Sequence, residues 1–270
     1  MRLALHFLWG AATVALAFPF VPDDRRRWLK QRWSRQVLEI LGIELDATMA
    51  GIEPGSLIVA NHISWLDVFA INAARPVAFV SKSEVRDWPL VGWLAVKTET
   101  VFLRRGSRGH AKVVNAEIDA LLNAGKDVAV FPEGTTTDGT HLLGFHAALL
   151  QPALETGRPI QPVALCYETS DGRRTLAAAY AGETTIAECF CAILATRHMV
   201  VRLRPTAALA TKILSDNHGR RELAQAAHDA IAFNLGLPRA SSRPETPVGL
   251  PGAPLSDGAP TGSRSPAQVT

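Results

Sequence analysis

From residue 57 onward, short apolar runs alternate with longer amphipathic stretches. The runs at 57–60, 77–80, 101–103, 128–131, 160–165 and 199–203 are bounded by polar or turn-forming residues, and they predict strands. Helical spacing separates several of them. It is clearest over residues 110–124, where Gly125 stands in the C′ position, and it returns around 220–235. Strand and helix in alternation predict an α/β domain whose sheet is largely parallel, with helices flanking it.

Both ends of the chain depart from this pattern. Residues 3–21 contain one ionisable side chain, His6, and approach the roughly 20 apolar residues needed to cross a bilayer. Arg25, Arg26, Arg27, Lys30, Arg32 and Arg35 follow directly, and the positive-inside rule would put that flank and the rest of the chain in the cytoplasm. A signal peptide would carry its charges before the apolar run and small residues after it, whereas here Phe18-Pro19-Phe20 closes the run. A membrane anchor and a buried core helix remain. Trp33, Val37 and Leu41 recur every four residues, giving a basic helix one apolar face that suits either the lipid headgroup layer or the domain's own core. The expected organisation is an N-terminal anchor over 1–45, an α/β domain over 46–237 and a disordered tail over 238–270, where Pro, Gly and Ser dominate.

Composition narrows the classes. At 270 residues and 47% apolar content the chain can fill a sizeable core, which excludes disorder throughout. Lys and Arg total 28 against 25 Asp and Glu, a net charge of +3, too balanced for a protein whose task is neutralising nucleic-acid phosphate. Cys166, Cys189 and Cys191 form no C-x-x-C pair, so neither a disulfide framework nor a zinc site is expected. They read as packed thiols in a reducing compartment, and no metal is called for. The dinucleotide, P-loop, nucleophile-elbow and zincin motifs are absent.

Three predicted strand ends carry chemistry. The first runs into Asn61-His62-Ile63-Ser64-Trp65-Leu66-Asp67. A histidine and a carboxylate make a general-base pair if their side chains meet. Five residues on a regular helix turn through about 500°, so His62 must precede the helix. Ser64 and Asp67 are spaced as a capping box, and Asp67 could cap while His62 merely packs. The second end is Arg104-Arg105, of which only one can face a given site. The third is Phe131-Pro132-Glu133-Gly134-Thr135. In open parallel sheets ligands bind beyond the carboxyl ends of strands, so all three ends would line one crevice if their strands are neighbours.

These residues resemble the blocks of the glycerolipid acyltransferases, whose type member is 1-acylglycerol-3-phosphate acyltransferase. Asn61-His62 with Asp67 looks like the N-H-x-x-x-x-D box, 101–105 like a strand ending F-[IV]-x-R, 131–135 matches F-P-E-G-T, and 160–163 looks like a V-P-V-type strand. Many members follow F-P-E-G-T with arginine, where this chain has Thr136. The resemblance implies a glycerol-3-phosphate acyltransferase-like fold with membrane-associated N-terminal helices. It implies an O-acyltransferase that moves a fatty acyl group from acyl-CoA or acyl-acyl carrier protein to a lysophospholipid hydroxyl, most simply 1-acylglycerol-3-phosphate giving phosphatidic acid. Acylation of another lysolipid, such as lyso-ornithine lipid, is the alternative, and a non-catalytic membrane lipid-binding protein on the same fold is the remaining one. His62 and Asp67 would be catalytic; Asn61, Arg105, Glu133, Gly134 and Thr135 would hold substrate, Arg105 pairing with acceptor phosphate. The implied co-substrate is the thioester, with no cofactor. The implied partners are anionic lipid at the cytoplasmic face of the membrane and, for one donor, acyl carrier protein.

Overall fold

A computed structural model describes residues 1–104, 108–196, 198–211 and 217–238. Its strands are β1 Ile43–Ala47, β2 Leu57–Ala60, β3 Ala78–Lys82, β4 Val101–Leu103, β5 Val128–Val130, β6 Ile160–Glu168 and β7 Met199–Pro205. They form one sheet in the order β1-β7-β6-β2-β5-β3-β4. Every pairing is parallel except β6 with β7, so β2, β3, β4, β5 and β6 point one way and present their carboxyl ends along one edge.

The central strands are buried on both faces, and their alternation sorts side chains into two cores. On β2, Ile58 and Ala60 join one core with Val37, Ile71 and Ile193, while Leu57 and Val59 join the other with Ile118, Leu122 and Ile231. The first core lies under α2 Asp23–Ile40, α3 Asp67–Ala74 and α7 Ile186–Ala195; the second lies under α5 Arg108–Asn123, α6 Gln151–Thr156 and α8 Asn217–Asn234. The helix expected over 110–124 is α5. Gly125 takes φ +72°, its N–H meets Leu122 O and the Lys126 N–H meets Leu121 O, the double bond of a Schellman ending.

Three expectations change. β1 has no strong apolar run and was not expected; it pairs in parallel with β7, so the sheet begins at Ile43, ahead of the boundary placed at residue 46. The basic helix α2 belongs to the domain: Val37 and Leu38 are buried, Lys30 Nζ donates to Val77 O at 2.8 Å, and Gln31 Nε2 donates to Ala73 O and Ala74 O at 3.2 and 3.0 Å. The two Gln31 bonds satisfy carbonyls that the end of α3 would leave open, which ties α2 to the domain's core, while Trp28, Arg25 and Arg32 stay exposed. β4 is an edge strand separated from β5 by β3, so the arginine-bearing end is not adjacent to the other two.

The apolar N-terminal segment folds as α1 Arg2–Leu16 followed by a 3-10 turn, Phe18–Phe20. By length and composition, Arg2–Phe20 is long and apolar enough to cross a membrane. It packs on α2 through Trp33, which stacks on His6 and meets Phe7 edge-on. A β-carbon on Gly10 would stand 2.4 Å from the Trp33 ring, so glycine is what permits this approach. The tail expected from residue 238 lies, Pro238 apart, outside the described residues.

Candidate active site

Parallel pairing sets the end of β2 beside the end of β5. β2 stops at Ala60, and the next turn carries His62 out of the sheet before α3 begins at Asp67. The two side chains meet: His62 Nδ1 lies 2.8 Å from Asp67 Oδ2. Asp67 is fully buried, and its Oδ2 also accepts from the N–H groups of Ile63 and Ser64 at 2.7 and 2.9 Å. Its Oδ1 accepts from the Tyr167 hydroxyl at 2.7 Å.

Four donors around this carboxylate fix it in place. An ionised carboxylate only accepts, so the histidine nitrogen facing it carries the proton, and Nε2 is the lone-pair nitrogen of the neutral ring. The imidazole stacks flat on Phe131, centroids 4.0 Å apart and planes 10° apart, and retains 21% side-chain exposure. Burial, with Asp67 beside it, pushes the Tyr167 phenol well above its usual range, so it remains a neutral donor.

The backbone of His62 is clamped as firmly as its ring. Its N–H donates to Glu133 Oε1 at 2.9 Å, and its carbonyl accepts from Thr137 N–H at 2.8 Å. Glu133 is buried, and its other oxygen accepts from Leu143 N–H at 2.9 Å. Burial pushes this carboxyl above its usual value, and the two N–H bonds act against that rise. Gly134 turns the chain at φ +70°, with its N–H on Phe131 O.

Several expected site residues thus have different placements. Asn61 was expected to touch substrate; it is fully buried, and its amide spans β2 and β6 by donating to Leu165 O at 2.9 Å and accepting from Leu165 N–H at 2.8 Å. Glu133 was expected to hold substrate; each of its oxygens accepts a backbone N–H, and through these bonds it holds the His62 loop. Thr135 is exposed beside the site, and the Thr136 hydroxyl donates to the Tyr180 carbonyl. Arg105 lies outside the described residues, while Arg104 is exposed. The capping box is half formed: Asp67 receives the Ser64 N–H, but α3 starts at Asp67 itself and the buried Ser64 side chain does not return the cap. The thiols are not alike, since Cys189 is buried, Cys166 half-buried and Cys191 exposed.

Two residues of the site were not expected. Tyr167 stands 100 positions from Asp67, and no local pattern links them. Phe131 had a detectable signal: counting by two from Ala129 and from Ala60 puts Phe131 and His62 over the same face of the sheet. Among the described residues, no cluster of three or more His, Cys, Asp or Glu side chains is spaced to hold a metal ion.

A histidine oriented by a buried carboxylate at the carboxyl edge of a parallel sheet is the constellation of an α/β enzyme that moves a proton from a nucleophile. Comparison with known proteins makes the class particular. The Acyltransferase family profile matches residues 43–166. A lyso-ornithine lipid O-acyltransferase of Pseudomonas aeruginosa is 36% identical over 210 residues, covering 78% of this chain and 79% of that protein. A 1-acyl-sn-glycerol-3-phosphate acyltransferase of Neisseria meningitidis is 35% identical over 184 residues, covering 67% of this chain and 71% of that protein. The crystal structure of the 1-acyl-sn-glycerophosphate acyltransferase of Thermotoga maritima shares the fold, with a TM-score of 0.63 at 21% identity over 87% of this chain and 94% of that one. The chain belongs to the acyltransferase family, and it is an O-acyltransferase.

Proposed function

We propose that the protein transfers a fatty acyl group from a thioester of coenzyme A or acyl carrier protein to the free hydroxyl of a lysolipid, with 1-acylglycerol-3-phosphate as principal acceptor. The observation that carries the mechanism is the 2.8 Å contact between His62 Nδ1 and Asp67 Oδ2. Asp67 fixes the tautomer and stabilises the imidazolium, and Nε2 takes the hydroxyl proton as the acceptor oxygen attacks the thioester carbonyl. Collapse of the tetrahedral intermediate breaks the C–S bond, and the thiolate leaves with the proton returned by His62. The acceptor oxygen is itself the nucleophile, so no acyl-enzyme forms. Arg105 is assigned to acceptor phosphate, and Gly134 and Thr135 to substrate binding, by the blocks they occupy.

One observation favours lyso-ornithine lipid as acceptor. Where many family members carry an arginine after F-P-E-G-T, the Thr136 hydroxyl is spent on the Tyr180 carbonyl, which leaves no cation at that position for a phosphate. An assay of the full-length protein in detergent micelles, with each acceptor against each thioester donor, decides the matter. Thiol release that depends on lysophosphatidate supports the principal reading, dependence on lyso-ornithine lipid alone moves the acceptor, and no thiol release with any lysolipid overturns the function.

We further propose that the protein sits at the cytoplasmic face of the membrane with α1 lying in the interface. The long side of α1 that carries His6, Phe7 and Gly10 is occupied by Trp33, while Leu5, Leu8, Trp9, Leu16 and Phe20 remain exposed. Bringing a lysolipid with about 16 chain carbons through water costs on the order of 12 kcal/mol at about 0.8 kcal/mol per methylene, so the site gains by staying beside the bilayer.

A further inference from the structure

A short segment remote from the N-terminus shares the surface character of α1. The chain between β3 and β4 forms a 3-10 turn, Ser83–Asp87, and then α4 Val91–Lys97, whose sequence VGWLAVK is apolar on every side up to its last residue. A helix of that composition is ordinarily covered all round. Here only Gly92 and Leu94 are buried, and Trp88, Leu90, Val91, Trp93 and Val96 are exposed, Trp88 by 49%. Leu90 also holds φ +61°, a backbone strain retained at a bulky residue whose side chain is left partly in water. α1 and α4 bound the same cavity, of about 750 Å3: Thr13, Leu16 and Ala17 come from or adjoin α1, and Val91, Leu94 and Ala95 come from α4. Lys82 precedes the segment and Arg86 and Lys97 lie within it, beside Glu84 and Asp87.

We propose that residues 83–97 are a second membrane-contact element, and that this segment and α1 together seat the mouth of the cavity in the lipid layer. The occupant of the exposed apolar surface is the bilayer: the surface continues that of α1 across a shared cavity, and its tryptophans with flanking cations are the side chains that sit at the lipid–water interface. The inference rests on the membrane location proposed above. A lysolipid would then slide from the bilayer into the cavity along its length, without its chain crossing water. Phe79, which lines the cavity, stacks on Phe131 with centroids 5.9 Å apart, and Phe131 supports the His62 ring.

The test uses the full-length protein carrying Cys191→Ser, with one added cysteine labelled by an environment-sensitive nitrobenzoxadiazole dye. The label is placed in separate samples at Leu90, at Leu5 on α1 and at Phe233 on α8. The vesicles contain equal parts of phosphatidylcholine and phosphatidylglycerol, with or without brominated chains. The expected result is a blue shift and bromine quenching at positions 90 and 5, with no change at 233. Quenching at 5 without quenching at 90 overturns this inference and leaves the membrane location standing. Absence of quenching at both overturns the two together. Trp88→Glu combined with Trp93→Glu should weaken vesicle partitioning by about tenfold or more while the circular dichroism spectrum is unchanged. Unchanged partitioning of that folded variant counts against the second contact.

Discussion

Asp67 and Asp127 are two buried carboxylates built on one plan at opposite ends of the β2–β5 pair. Asp127 precedes β5; its Oδ1 accepts from Gly55 and Ser56 N–H at 2.9 and 3.0 Å, and its Oδ2 accepts from Arg75 Nε at 2.6 Å. Asp67 follows β2 and likewise takes two consecutive N–H groups and one nitrogenous side chain. The difference lies in that last partner. Arg75 is always charged and has no proton to exchange, so its pair with Asp127 can only brace the strand starts. His62 has a second nitrogen and can change charge, so the same support becomes proton-transfer machinery. A buried ion pair is therefore no sign of chemistry until the partner is one that titrates and stands partly open to substrate.

The sharpest way to break this comparison is at the histidine. His62→Ala should lower kcat by about two to four powers of ten while leaving the thermal transition in place; a folded and fully active variant would remove His62 from the mechanism. Asp67→Asn should cost up to about four powers of ten in kcat, because an amide presents the wrong partner to Nδ1. At the other end, Asp127→Ala should leave kcat of the folded protein unchanged and destabilise it by about 3–5 kcal/mol, the cost of stranding a buried partner, read as a lower Tm. Loss of activity without loss of stability there would show the two ends to be less distinct than their geometry says. Tyr167→Phe should fall between, with about 1.5–3 kcal/mol of stability lost with a bond to a charged group and a smaller fall in kcat than either site variant.

The smallest effect concerns a carboxylate built without that N–H support. Burial, with Glu155 beside it, raises Asp119 from the usual 3.8 to about 6. Its folded state favours the protonated form, so that contribution to stability is present below pH 4 and lost as pH rises through about 6. Asp119→Asn should therefore raise Tm at pH 7 relative to the parent protein and lose that advantage near pH 4. Asp119 is half-buried and water screens part of the effect, so the gain should be about 1 kcal/mol or less, and an equal gain at both pH values would contradict the assignment.

Local pattern alone determined the alternation of strands and helices, the Gly125 helix ending, and the placement of His62 ahead of a helix that starts near Asp67. All of these depend on neighbours within a few residues, where apolar spacing and turn chemistry are decisive. Tertiary structure alone decided what the polar residues of the same blocks do. Asn61 meets Leu165 across 104 positions, Glu133 meets His62 across 71, and Tyr167 completes Asp67 across 100. The edge strand β1, whose burial pattern is weak, is drawn into the sheet by β7, and the basic helix α2 is held by the open carbonyls of α3. The physical reason is that a side chain's type limits what it can bond, while its role depends on which distant backbone groups the fold leaves unsatisfied beside it.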